Sequence, residues 1–211
     1  MNGEIVRKDS EAWDKEYMQR GALWSGTVHH LPILPPGSRV LELGCGNGKT
    51  LSCMIQHYWY MTAIDFSPCA VRMCKPITDT VPNSHTCVAD ARWLPFASER
   101  FEGVIATHVL SHLQSGDRSH AAVEAARMLK KGGTLYFSGF SVEDFRSTKG
   151  CVVEPGTIRN GKGVCTHFFT ESEVQDLFCT LTPQTITTKR WSLRVRGQDF
   201  PRAEVQATFI K

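Results

Sequence analysis

Glu42-Leu43-Gly44-Cys45-Gly46-Asn47-Gly48-Lys49 sets an acid at the end of an apolar run and glycines at every second position after it. Such a turn lets backbone press against a ligand, because glycine has no Cβ and adopts left-handed conformations freely. The spacing differs from the dinucleotide fingerprint G-x-G-x-x-G, whose last glycine allows close helix packing beneath a pyrophosphate. Lys49 stands at that position, which favours a ligand without a pyrophosphate. Asp65 and Asp90 end the next two β-rich runs, and an open parallel sheet binds ligands at those carboxyl ends. Asp65 lies 21 residues past Gly44, the distance at which an acid on the adjacent strand takes ribose hydroxyls. Asp90 is suited to accept from an exocyclic amine. The bland alternative is that each acid caps the helix that follows it.

Short apolar runs alternating with helical periodicity predict the elements that carry these residues. Strands are expected at Val40–Leu43, Tyr60–Asp65, Thr86–Asp90, Phe101–Thr107 and Thr134–Ser138, with helices over Lys49–His57, Pro68–Lys75 and Arg118–Lys130. Lys131-Gly132-Gly133 reads as a helix C-terminus. Ser141–His167, with four glycines and one proline, reads as a long functional loop on the acceptor side. Thr170-x-x-Glu173 is a capping box opening a helix. Two antiparallel strands, Thr185–Val195 and Arg202–Ile210, close the chain.

The fold class is therefore α/β, a Rossmann-like, mostly parallel seven-stranded sheet with helices on both faces and a C-terminal antiparallel hairpin. It is read as one domain with an N-terminal helical cap (1–36), a cofactor core (37–140), an acceptor-side loop (141–169) and a C-terminal helix and hairpin (170–211). A chain of 211 residues with 24 Lys plus Arg against 21 Asp plus Glu is ordinary globular protein, without a strong polyanion-binding signature. No apolar run reaches the ~18 residues that span a bilayer, and residues 1–11 lack a signal core. A cytoplasmic location is expected. None of the eight cysteines forms a C-x-x-C pair, so no metal site is expected.

On the glycine turn and the acids Glu42, Asp65 and Asp90, the sequence resembles the class I S-adenosylmethionine-dependent methyltransferases over roughly residues 35–140. The resemblance implies S-adenosylmethionine as cofactor and S-adenosylhomocysteine as product. It implies that Glu42, Gly44 and Gly46, within the turn that includes Cys45 and Gly48, meet the methionine moiety, while Asp65 holds the ribose. Asp90 and Ala91 would meet the adenine, Phe66 would pack on its face, and Thr107 would lie beside the sulfonium. Phe101-Glu102 departs from the Phe-Asp pair usual in the family, at a position remote from the methyl group.

Methyl transfer depends mostly on positioning and desolvation, and a general base is needed only where the acceptor arrives protonated. Candidate bases are His108, His112 and His167; the first two are i,i+4, so one at most is expected to face the crevice. Each is otherwise a structural histidine. Trp13, Tyr17 and Trp24 have helical spacing, and Tyr17 and Trp24 are read as a cap over the cofactor, or else as helix packing. The sequence has no Asn/Asp-Pro-Pro-Tyr/Phe stretch after the fourth strand, which argues against base-amine methylation, and Pro68-Cys69 reads as a helix start. A small-molecule acceptor is favoured. The alternative is tRNA, with a small activator subunit as partner, because the turn is locally similar to tRNA wobble-uridine methyltransferases and Lys189, Arg190, Arg194, Arg196 and Arg202 form a basic set. A non-enzymatic cofactor-binding module is the third reading.

Overall fold

The computed structural model describes residues 13–19, 21, 31–161 and 163–211; Trp24 and most of the 1–36 segment lie outside the described residues. Five parallel strands form the centre: β1 (Arg39–Leu43), β2 (Tyr60–Asp65), β3 (His85–Val88), β4 (Phe101–Thr107) and β5 (Leu129–Phe140). The hairpin β9 (Thr182–Val195) and β10 (Gln198–Ile210) adds to β5 antiparallel, giving the order β3-β2-β1-β4-β5-β10-β9. The order reverses between β1 and β4, the switch point at whose carboxyl ends an open parallel sheet binds its ligands.

The strands are apolar on both faces because both are covered. Leu41, Leu43, Val104, Ala106, Leu135 and Phe137 pack under Ala121, Ala122 and Ala125 of α4 (Ser115–Met128). Val40, Met61, Ala63, Ile105 and Tyr136 pack with Leu51 and Met54 of α2 (Lys49–Met54) and Cys74 of α3 (Pro68–Thr78). Ser67 caps α3 by accepting from Ala70 N–H at 3.1 Å, with Pro68 in its first turn. A helix at residues 13–19 (α1) precedes the sheet, and Thr170 caps α5 (Glu171–Leu177) by accepting from Glu173 N–H at 3.1 Å.

Three expectations are corrected. The Ser141–His167 segment is not a structureless loop: β6 (Cys151–Glu154), β7 (Thr157–Arg159) and β8 (Cys165–His167) form a separate antiparallel sheet. Helix α4 stops at Met128, and Lys131-Gly132-Gly133 lies inside β5, where Gly132 N–H donates to Lys211 O and Lys211 N–H to Gly133 O. Those glycines bend a strand rather than end a helix. Helix α3 runs past Lys75 through Pro76 to Thr78.

Candidate active site

The turn after β1 carries three left-handed glycines, with φ of +71° at Gly44, +52° at Gly46 and +81° at Gly48. Cys45 N–H donates to Ile64 O at 2.8 Å, which ties the turn to β2. A Cβ at Gly44 would come within 2.7 Å of Val109 Cγ2, so the turn lies directly against the segment that leaves β4. Cys45 is buried, and its thiol faces Cys74, which also reaches Gly46 O at 3.3 Å.

Glu42 is 2% exposed, and its Oε2 has no hydrogen-bond partner among the described residues. Burial pushes its carboxyl up to about 8; a bond from Thr50 opposes this and the nearby Asp65 adds to it. Asp65 Oδ2 accepts from Gly46 N–H and its Oδ1 from Ser67 N–H, both at 2.9 Å. Burial raises Asp65 to about 6, with those backbone bonds acting the other way. Two buried carboxyl groups thus lie at neighbouring strand tips with no Lys or Arg paired to either among the described residues, and Thr107 Oγ1 is another buried atom without a partner among them. This is the electrostatic complement of a positively charged ligand.

Asp90 is differently engaged. Its oxygens receive Arg92 N–H, Nε–H and Nη2–H at 2.7–3.1 Å, and Arg92 Nη1 reaches Asp117 Oδ2 on α4 at 2.6 Å. These bonds fill most of the carboxylate's acceptor capacity, leaving it little for an adenine amine. Ala91 is buried beside it, and Phe66 is half-buried after Asp65.

The three histidines separate in role. His167 is 1% exposed, with Nδ1 2.8 Å from Thr157 Oγ1 and Nε2 2.7 Å from Glu173 Oε1, so both nitrogens join β7, β8 and α5. His112 sits in a 3-10 turn, Leu110–His112, where Nδ1–H donates to Cys165 O at 3.0 Å. Burial lowers it to about 4, which makes it a poor base at neutral pH. His108 follows Thr107 at the tip of β4 with φ +59°, its ring stacked on Phe140 at 4.2 Å and its Nε2 3.4 Å from Glu204 Oε2.

Helix α1 reaches across this region. Asp14 accepts from Ser67 O–H and, at 3.0 Å, from Cys69 N–H, sitting at the N-terminus of α3. Trp13 contacts the His112 ring edge-on at 4.9 Å, and Tyr17 is 5% exposed beside Trp13. Asp14, Glu204, Arg92 and Phe140 were not singled out from sequence. Asp14 is one of three charges in Trp13-Asp14-Lys15-Glu16-Tyr17, and Glu204 falls on the polar face of an alternating strand. Among the described residues there is no group of three or more His, Cys, Asp or Glu placed to hold a metal ion, and no helix long and apolar enough to cross a membrane.

The family profile described as a methyltransferase domain matches residues 41–137, from β1 to β5. A tRNA (carboxymethyluridine(34)-5-O)-methyltransferase of Arabidopsis thaliana is 31% identical over 125 residues, covering 59% of this chain and 29% of that protein. A 2-methyl-6-phytyl-1,4-hydroquinone methyltransferase of Synechocystis is 30% identical over 142 residues, covering 67% of this chain and 43% of that one. The chain thus spans less than half the length of these relatives. The crystal structure of an S-adenosylmethionine-dependent methyltransferase from Methanosarcina mazei shares the fold with a TM-score of 0.67 at 22% identity, covering 87% of this chain and 99% of that one. The matched span contains the glycine turn and the acids Glu42, Asp65 and Asp90, so the likeness to a methyltransferase domain falls on the part of the chain that carries the candidate site, and the sheet has the fold of an S-adenosylmethionine-dependent methyltransferase.

Proposed function

We propose that the crevice binds S-adenosylmethionine and methylates a small molecule held between β4, β5 and α1. The observation that carries the cofactor reading is the buried, half-satisfied Glu42 carboxylate beside three left-handed glycines. In this assignment Glu42 and the backbone of Gly44, Cys45, Gly46 and Gly48 hold the methionine end, and Asp65 holds the ribose. Phe66 and Ala91 flank the adenine, Thr107 faces the sulfonium, and Tyr17 closes the cap. Asp90 acts chiefly through Arg92, fixing the loop between β3 and β4 against α4. When bound, the cofactor supplies an electrophilic methyl on a positively charged sulfur. The chain's own work is to neutralise that charge, align the acceptor and exclude water.

The small-molecule reading is supported by the state of the basic set. Arg190 pairs with Glu143 at 2.6 Å, Arg202 with Asp144 at 2.7 Å and Arg194 with Asp199 at 3.5 Å, so three of its five cations already face acids of their own chain. The names of the tRNA-modifying relatives favour a second reading, in which tRNA is the acceptor and an activator subunit assists.

Calorimetry with S-adenosylmethionine tests the cofactor, and release of S-adenosylhomocysteine over a small-molecule panel and bulk tRNA tests the acceptor. Affinity for NAD with none for adenosyl-sulfur ligands would overturn the first. Tight tRNA binding that weakens steeply with salt would replace the small molecule by RNA.

A further inference from the structure

Of the five non-glycine residues with positive φ among the described residues, His108 alone stands at a strand tip in the crevice. Strain of this kind persists where surrounding contacts over-determine it. Three such contacts are present. His108 N–H donates to Ser138 O at 2.7 Å, the imidazole stacks on Phe140 at a 17° interplanar angle, and Arg146 lies 4.1 Å from the same ring centroid. Two groups that close to one ring must occupy opposite faces, so Phe140 is clamped and the imidazole plane is fixed with it.

The fourth contact sets the proton. Glu204 is the cross-strand partner of Phe140 on β10; its Oε1 accepts from Gln206 Nε2 at 2.6 Å, and its Oε2 lies 3.4 Å from His108 Nε2. Burial alone would raise the Glu204 carboxyl, but His108 and Gln206 outweigh it and hold the group below the ordinary carboxylate range. An ionised carboxylate only accepts, so Nε2 carries the hydrogen of the neutral ring and Nδ1 carries the lone pair. Nδ1 is buried and has no partner among the described residues.

Resting on the methyltransferase reading above, we infer that Glu204 positions His108 as general base through Nδ1, and that the acceptor presents a hydroxyl. A carboxylate or thiolate is already anionic, and a neutral amine attacks through its own lone pair and sheds a proton afterwards. A hydroxyl gains most from a base in the attacking step. In that step the acceptor O–H proton passes to Nδ1, an oxygen electron pair forms the new C–O bond, and the C–S electron pair returns to sulfur. The products are a methyl ether, a neutral thioether and an imidazolium paired with Glu204, which later yields its proton to water.

The test is nitrogen NMR of the whole chain labelled with 15N-histidine, with the His108 signal assigned by its loss in His108→Asn, a residue type that tolerates positive φ. The native ring is expected in the Nε2–H form with bare Nδ1. In Glu204→Gln, the new amide oxygen keeps the bond from Gln206 and its NH2 faces Nε2, so the tautomer reverses. An Nδ1–H ring in the native chain, or a tautomer indifferent to Glu204→Gln, overturns the dyad. S-adenosylmethionine calorimetry on the same samples separates the two ideas: a native chain that binds no cofactor sinks the methyltransferase reading, whereas retained affinity with an unmoved tautomer sinks only this one. With catechol and benzoate as probe acceptors, catechol turnover is expected to fall about 100-fold in Glu204→Gln. Benzoate methylated faster than catechol by the native chain would overturn the hydroxyl assignment.

Discussion

Replacing Glu42 by Gln keeps the shape of the side chain and removes its ionisation. In the folded chain burial pushes this carboxyl up to about 8 from an ordinary value of 4.5. A group raised on folding contributes stability that is complete below its unfolded value and lost as pH climbs through its folded value. The ligand-free protein therefore weakens between roughly pH 4.5 and 8. Each decade in an ionisation constant is worth about 1.4 kcal/mol, so the loss at pH 9 is roughly 4–5 kcal/mol and near neutrality about 3 kcal/mol. Glu42→Gln removes that term. Urea denaturation at pH 5, 7 and 9 without cofactor should show the variant gaining on the native chain by those amounts as pH rises. Calorimetry should show the reverse for the ligand: native affinity for S-adenosylmethionine climbs up to about pH 8 as the carboxylate ionises, and the variant binds weakly at every pH. A stability difference between variant and native chain that does not change from pH 5 to 9 would refute the reasoning, since no buried ionisation would then be at work.

Other perturbations address the supporting residues. Gly44→Ala, forced to φ +71° with its Cβ against Val109, should lose roughly 1–3 kcal/mol in urea denaturation and abolish calorimetric cofactor binding; native-like binding would remove the turn from the site. His167→Ala removes the buried ring that bonds Thr157 and the half-exposed Glu173, so the midpoint of denaturation should drop by the equivalent of about 1–3 kcal/mol while cofactor affinity at low temperature holds. Asp14→Ala leaves Cys69 N–H and Ser67 O–H without their acceptor, costing about 0.5–2 kcal/mol and exposing α1 to limited proteolysis, a readout that should stay native-like if α1 is held by its aromatics alone. Arg92→Met uncovers the carboxylates of Asp90 and Asp117, and a loss of roughly 3–5 kcal/mol is expected in thermal unfolding.

The central strands were legible because their chemistry is one-dimensional. Val40-Leu41-Glu42-Leu43 and Phe101–Thr107 are buried on both faces, so they read as nearly continuous apolar runs whichever way the sheet turns. The minor sheet was hidden for the opposite reason. Strands of three or four residues such as Thr157–Arg159 and Cys165–His167 hold too few side chains to show a period of two, and their glycines read as loop. Leu129 was misassigned because Lys-Lys-Gly-Gly is equally good chemistry for a helix end and for the bend at which Gly132 and Gly133 meet Lys211. Only the distant chain terminus decides between them.

The site divides along the same line. The cradle, from Glu42 to Gly48 with Asp65, is local to two strand tips, and a glycine spacing announces it. The proposed acceptor side is assembled across far greater separations: His108 meets Glu204 of β10, and His112 meets Cys165 through the minor sheet. Alternation along Ala203-Glu204-Val205-Gln206-Ala207 says only that Glu204 and Gln206 share the face opposite the core, which a sequence reader assigns to solvent. What turns that face into part of a site is the pairing of Glu204 with Phe140 in the antiparallel register, which sets a carboxylate beside the ring that carries His108. If His108 and Glu204 form the proposed dyad, a substitution in β10 redirects the proton while the glycine turn is left unchanged.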